Sequence, residues 1–128
     1  MKVLLDTHTL LWAVINPELL SRRAASIIDD KSTVILVSAA SAWEISTKVR
    51  LGKLPGAENF ERDFVQNLDD LGYALLSIDA ETSLRAGRLT ADHGDPFDRI
   101  LAAHAIALDI PVIGKDPKLD QFGIRRVW

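Results

Sequence analysis

Two stretches of the chain are apolar at every position rather than at every second one: Val3-Leu4-Leu5 and Val34-Ile35-Leu36-Val37. Successive strand residues point to opposite faces of a sheet, so runs of this kind require both faces to be covered. That requirement disfavours a one-sided antiparallel sheet and calls for helices on both sides of a parallel one. Residues 74–78 and 111–114 are further runs of the same kind, and residues 124–128 can add an edge strand. Between the runs, apolar residues recur at helical spacing over 9–15, 17–30, 41–51, 57–71, 80–89 and 97–108. The last of these is the most regular, with Ile100, Leu101, His104, Ala105 and Leu108 on one stripe, and His104 reads there as a satisfied core histidine. Loops are marked by Gly52, Pro55 and Gly56, and again at 90–96 by Gly94 and Pro96. The alternation of strands and helices predicts a three-layer α/β/α sandwich with a parallel central sheet of four to five strands. No repeat, linker or charge block divides the 128 residues, which read as a single domain, 1–128.

Composition narrows the chemistry. There is no cysteine, which excludes disulfides, thiolate zinc sites and cysteine nucleophiles. The histidines, His8, His93 and His104, do not have the spacing of a zinc helix. Glycine loops of the phosphate-cradling kinds are missing, as is the Gly-x-Ser-x-Gly elbow of serine hydrolases. The longest apolar run, residues 10–15, is too short to span a bilayer, and the first residues do not spell a secretory signal. A soluble, cytoplasmic protein is the expectation. Net charge is −3, from 15 basic and 18 acidic residues, which taken globally disfavours a nucleic-acid binder. Yet if four carboxylates surround a divalent cation, the remainder of the chain is slightly basic. The placement of the acids therefore decides.

In open parallel sheets, ligands bind beyond the carboxyl ends of the strands. Asp6 ends the first run, Ser38 the second, Asp79 comes after the third and Asp116 lies two residues past the fourth. Each has a structural reading beside a functional one. Asp6 can cap the next helix, a contribution of about 1 kcal/mol; as a carboxylate at a buried strand end, it is also costly to desolvate unless paired or metal-bound. Glu44 completes Ser41-Ala42-Trp43-Glu44, which spells a capping box, and stands four residues before Lys48 in the order that favours a surface ion pair. Asp98 comes after Asp95 and Pro96, an N-cap and a first helical position; a second acid at one helix start is more than capping needs, although the helix dipole favours it. Asp116, before Pro117, can simply start a turn. Asp79 reads as an N-cap, and Ser38 as a cap or as a partner to a site carboxylate. Lys48, Arg50 and Lys53 form either a solvated helix face or a contact to an anionic backbone.

Taken together, these residues resemble the PIN-domain family and, within it, the VapC-type ribonuclease toxins of toxin–antitoxin modules. The resemblance runs in order along the whole chain: Leu4-Leu5-Asp6-Thr7-His8-Thr9-Leu10-Leu11-Trp12, then Ser41-Ala42-Trp43-Glu44-Ile45, then Asp95-Pro96-Phe97-Asp98-Arg99, then Gly114-Lys115-Asp116-Pro117. The fourth departs from the family pattern, which often has Thr or Ser where Gly114-Lys115 stands. The resemblance implies four catalytic acids, Asp6, Glu44, Asp98 and Asp116, with Asp6 and Asp98 in direct contact with the metal. An oxygen-only cluster of this kind suits Mg2+ or Mn2+. It implies an endoribonuclease that hydrolyses RNA phosphodiester bonds with a metal-activated water, leaving a 3′-hydroxyl and a 5′-phosphate. The implied partners are the RNA substrate, a cognate VapB-type antitoxin and a second copy of the chain, with Leu19, Leu20 or Trp12 as apolar contact residues.

Other readings of the same residues exist. A haloacid-dehalogenase-type phosphotransferase also has an aspartate after its first strand, but it needs a second one two residues on, where His8 stands. A PIN-like module that binds RNA without cutting it, and a nuclease directed at DNA, share the fold but not the reaction.

Overall fold

The computed structural model describes residues 1–128. Five strands, β1 (Lys2–Leu5), β2 (Val34–Ser38), β3 (Ala74–Leu76), β4 (Val112–Ile113) and β5 (Arg126–Val127), form one sheet in the order β3-β2-β1-β4-β5. Every pairing is parallel, with Leu5 of the central strand beside Val37 on one side and Ile113 on the other. The chain is an α/β/α sandwich of the kind its apolar runs predict.

Both sheet faces are covered, and the pleat decides which residue goes where. Val3, Leu5, Ile35, Val37 and Ile113 enter one core with Leu10, Ile45, Phe60, Phe64 and Leu68. Those partners come from α1 (Thr7–Ile15), α3 (Ala39–Arg50), α4 (Glu58–Arg62) and α5 (Phe64–Leu71), while Ala24 of α2 (Arg22–Asp29) closes the same layer. Leu4, Leu36 and Val112 enter the other core, against Leu101, Ala102 and Ala105 of α7 (Pro96–Leu108) and Leu119. The remaining helix, α6 (Ala80–Arg88), lies against α7.

Several element boundaries differ from the sequence expectation, each for a local reason. The helix expected over 17–30 opens instead as a short 3-10 turn, Pro17–Leu19, and restarts at Arg22 because Ser21 accepts from Ala24 N–H at 3.0 Å. The helix expected over 57–71 breaks at Asp63, yet hydrogen bonds Asp63 N to Asn59 O and Asn67 N to Asp63 O run through the break. It is a kink at a residue that is neither glycine nor proline, so no sequence signal marks it. α1 starts at Thr7 and α3 at Ala39, each earlier than expected, and β3 and β5 are shorter than the runs that predicted them. His104 is buried as expected but is not satisfied: its Nε2 has no hydrogen-bond partner, and burial holds its pKa below the usual histidine value. No helix is long and apolar enough to cross a membrane.

Central burial sets the expected cost of truncation. Leu5→Ala, at a fully buried position of β1, should lower the free energy of unfolding by about 2–5 kcal/mol. Leu75→Ala, on the exposed edge strand, should stay within about 0.5 kcal/mol. Urea denaturation of the two variants checks the contrast.

Candidate active site

β1 has a parallel neighbour on either side, and the connections to those neighbours wind in opposite directions along the sheet. Such a reversal opens a crevice at the carboxyl ends of the strands. Here a cavity of about 110 Å3 is lined by five carboxylates, Asp6, Glu44, Asp95, Asp98 and Asp116, with His8 and Lys48 also in its wall.

Asp6 is the most enclosed of the five acids apart from Glu44, at 7 % exposed. It is the N-cap of α1: its Oδ1 accepts from Thr9 N–H at 2.8 Å. Oδ2 lies against the backbone where β4 ends. A methyl group on Gly114 would stand 2.7 Å from that oxygen and 3.1 Å from Leu119 Cδ1, so glycine is what lets the carboxylate sit there. Burial pushes the Asp6 carboxyl above the usual carboxylate range, and the charge of Asp98 adds to this; the Thr9 bond and His8 oppose it without cancelling it.

Asp98 stands in the first turn of α7. Asp95 caps that helix, accepting from Phe97 N–H at 2.8 Å and Asp98 N–H at 3.2 Å, with Pro96 at the first position. Asp98 Oδ2 meets His93 Nε2 at 2.7 Å. Burial again raises its pKa; the His93 bond lowers it, and the charges of Asp95 and Glu44 raise it further. The loop carrying His93 is fastened by Arg99, whose guanidinium donates to the carbonyls of Ala86, Leu89, Ala91 and His93.

Glu44 lies mid-helix in α3, 6 % exposed, with its Oε2 2.5 Å from Lys48 Nζ. The capping box suggested by Ser41 and Glu44 does not form, because Ser38 caps the helix by accepting from Ala40 N–H at 3.0 Å. The i, i+4 pair with Lys48 does form, on the cavity wall and not on a solvated face. Asp116 is exposed at the cavity mouth and caps the 3-10 turn Pro117–Phe122 by accepting from Lys118 N–H at 2.9 Å. Beneath the acids a buried hydroxyl pair, Thr7 Oγ1 and Ser41 Oγ at 2.9 Å, joins α1 to α3.

All four acids singled out in the sequence face this one cavity, although 92 residues separate Asp6 from Asp98. Asp6 and Asp116 are caps as well as cavity acids, so the two readings of these residues are not exclusive. Asp95 caps its helix, as expected, yet also lines the cavity; Asp79 caps α6, accepting from Thr82 N–H at 2.8 Å. Arg50 and Lys53 lie outside the wall. Sequence reasoning missed His93, Thr7 and Arg99. The first and last act across a loop whose path no local pattern encodes, and Thr7 gives no signal beyond standing next to Asp6.

No three Asp, Glu or His side chains close tightly enough on one point to ligate an ion together. The donor set nevertheless fits a hard divalent cation. It consists of oxygens only, and it includes one buried carboxylate with no cationic partner. Mg2+ is commonly held by one or two carboxylates, with water completing its shell.

Comparisons with known proteins place the fold in a family. The PIN domain matches over residues 3–124. The chain belongs to the PIN-domain family. Ribonuclease VapC16 of Mycobacterium tuberculosis is 43 % identical over 54 residues, a stretch covering 42 % of this chain and 38 % of that protein. Among solved structures, a chain of the VapBC2 complex from Rickettsia felis, bound to a DNA fragment from its promoter, superposes with a TM-score of 0.72 at 17 % identity, covering 99 % of this chain and 98 % of its own. Chains of FitAcB from Neisseria gonorrhoeae (0.65, 14 % identity, 98 % and 96 %) and of VapBC-1 from nontypeable Haemophilus influenzae (0.65, 17 % identity, 99 % and 97 %) are similar over the same extent. At these identities the likeness to the solved structures establishes the fold.

The packing of Asp6 has two measurable consequences. The unfolded chain holds this carboxyl at the ordinary value of 3.8, whereas the native chain holds its proton more tightly. Stability attributable to Asp6 is therefore complete below that value and falls as pH rises through the elevated native pKa. Asp6→Asn, which keeps a capping oxygen for Thr9, should be more stable than the parent at pH 7 in EDTA, with the gain vanishing near pH 3; urea melts across that range measure it. Gly114→Ala should destabilise the fold and weaken divalent-cation binding, read by denaturation and by calorimetric titration with Mn2+.

Proposed function

We propose that this chain is a divalent-cation-dependent endoribonuclease that acts as the toxin of a toxin–antitoxin pair. The observation that carries the reading is the gathering of Asp6, Glu44, Asp98 and Asp116 around one cavity at the carboxyl ends of a PIN-domain sheet. The local match to a protein named as a ribonuclease supports the substrate class.

Asp6 and Asp98 hold the cation, Mg2+ or Mn2+. When bound, it supplies Lewis acidity, neutralising charge on the attacked phosphate and making water a better nucleophile. Asp116 has Oδ1 engaged by Lys118 N–H, which leaves Oδ2 to accept a hydrogen bond from the attacking water and orient it. Glu44 keeps Lys48 at the cavity wall, where the ammonium can meet the anionic RNA backbone. Bond cleavage leaves a 3′-hydroxyl on one fragment and a 5′-phosphate on the other. The raised pKa values of Asp6 and Asp98 imply that cation binding displaces protons, so activity should rise with pH in the acid range.

The partner in this reading is a VapB-type antitoxin, in line with the VapBC complexes among the similar folds. A guanidinium from such a partner suits a cavity of carboxylates. A homodimer completes the reading; Leu19 is 52 % exposed and can contribute to it, while Leu20 and Trp12 are only partly exposed.

Purified protein should cleave single-stranded RNA in Mn2+ or Mg2+ and lose that activity in excess EDTA. Asp98→Asn should lower cleavage by more than about 100-fold, beyond the loss seen for substitutions around a metal's ligands, while its circular dichroism is unchanged. Undiminished cleavage by the variant, or by the parent in EDTA, overturns the assignment.

A further inference from the structure

A second cleft, of about 370 Å3, opens beside the acid cavity and shares Asp6, His8 and Asp116 with it. Trp12, Lys115 and Pro117 complete its walls. His8 and Trp12 are four residues apart on α1 and so occupy one face of the helix. Their rings lie 5.7 Å apart, inclined by 36°. Trp128, from the other end of the chain, backs the Trp12 ring at 5.6 Å, so the indole is braced from within. Lys115 Nζ lies 6.0 Å from the Trp12 ring centroid, and both His8 and Lys115 are exposed.

Electrostatics gives this cleft its purpose. A phosphodiester approaching five carboxylates is repelled, and Lys48, shared with Glu44, offsets only part of that charge when no cation is bound. Contacts to parts of the substrate remote from the reacting bond therefore add binding energy that the cavity alone does not supply. Two inclined aromatic rings with a cation over one of them offer the stacking faces and the charge that match the repeating base and phosphate of a single strand. We propose that this cleft is a nucleobase subsite: one base of single-stranded RNA stacks on the His8–Trp12 surface, and Lys115 holds the adjoining phosphate, presenting the scissile bond to the acids. The proposal rests on the ribonuclease reading above. A nucleic acid is favoured over a protein segment because the cleft joins ring faces, a cation and the acid cavity in a single continuous path.

The test uses oligoribonucleotides with one abasic residue placed in turn at each position around the cleaved bond. In the parent protein, one position should cost about 5- to 100-fold in kcat/KM, the range of a lost base–aromatic stack. Trp12→Leu keeps apolar bulk against Trp128 but removes the ring. It should lose a similar factor on the intact strand and nothing further on the abasic one, whereas Trp12→Phe should retain most activity. Lys115→Gln should lower the slope of log affinity against log salt by about 0.7, one phosphate contact on a single strand.

A readout independent of cleavage is the fluorescence of strands carrying one 2-aminopurine, titrated in Ca2+; quenching should occur in the parent and be lost in Trp12→Leu. If the parent cuts no RNA but shows Trp12-dependent quenching, the nuclease reading falls and the subsite stands. If RNA is cut normally by Trp12→Leu, or the abasic and Trp12 losses simply add, the subsite is overturned and the nuclease reading stands. Losses that accompany Trp43→Leu instead, or a Trp12→Leu effect confined to antitoxin affinity, also overturn it.

Discussion

A carboxylate without a cationic partner sits at the end of the central strand, and much of the local architecture exists to make that position tolerable. Burying a charge costs several kcal/mol unless hydrogen bonds or an opposite charge compensate. Asp6 receives one backbone N–H from α1 and lies against Gly114, where a methyl group would crowd it, and its carboxyl answers by holding its proton more tightly. The neighbouring acids respond differently. Glu44 carries Lys48, Asp98 carries His93, and Asp116 remains at the surface. Compensation is thus distributed: Asp6, buried at the sheet end, forms no ion pair, and His8 and Arg126 act on it only through their charge.

The fold was largely legible in the sequence because its main determinant is local. Val3-Leu4-Leu5 and Val34-Ile35-Leu36-Val37 state in their own composition that two faces are buried, and the structure divides these residues between two cores as the pleat requires. The kink at Asp63 was not legible, since hydrogen bonding continues through it and no helix breaker marks it. The early start of α3 was obscured by competition between two serines, of which Ser38 wins the cap. Once it does, the capping-box reading of Glu44 disappears, and Glu44 pairs with Lys48 on the cavity wall instead.

Much the same division applies to the site. Acids at strand ends announce themselves by position, so Asp6 and Asp116 could be found from the polar residues that terminate each apolar run. Asp98 needed the further observation that one helix start carried two acids. Pairing across space could not be read in this way: His93 with Asp98, Thr7 with Ser41, and the cleft walled by Trp12 and Lys115. Those depend on the course of loops, and loop paths are set by the packed elements around them more than by their own residues. His104 shows the opposite error, since a histidine on an apolar stripe was expected to find partners and one of its nitrogens did not.

Arg99 stands directly after Asp98, and its guanidinium gathers four main-chain oxygens from the end of α6 and the segment after it. A single helical turn therefore both aims an acid and anchors the strap that delivers that acid's imidazole neighbour. The strap and the turn of α7 that bears the carboxylate are thus tied to each other through one side chain. The surface segment 89–93 and the wall of the cavity thereby share one fastening, the guanidinium.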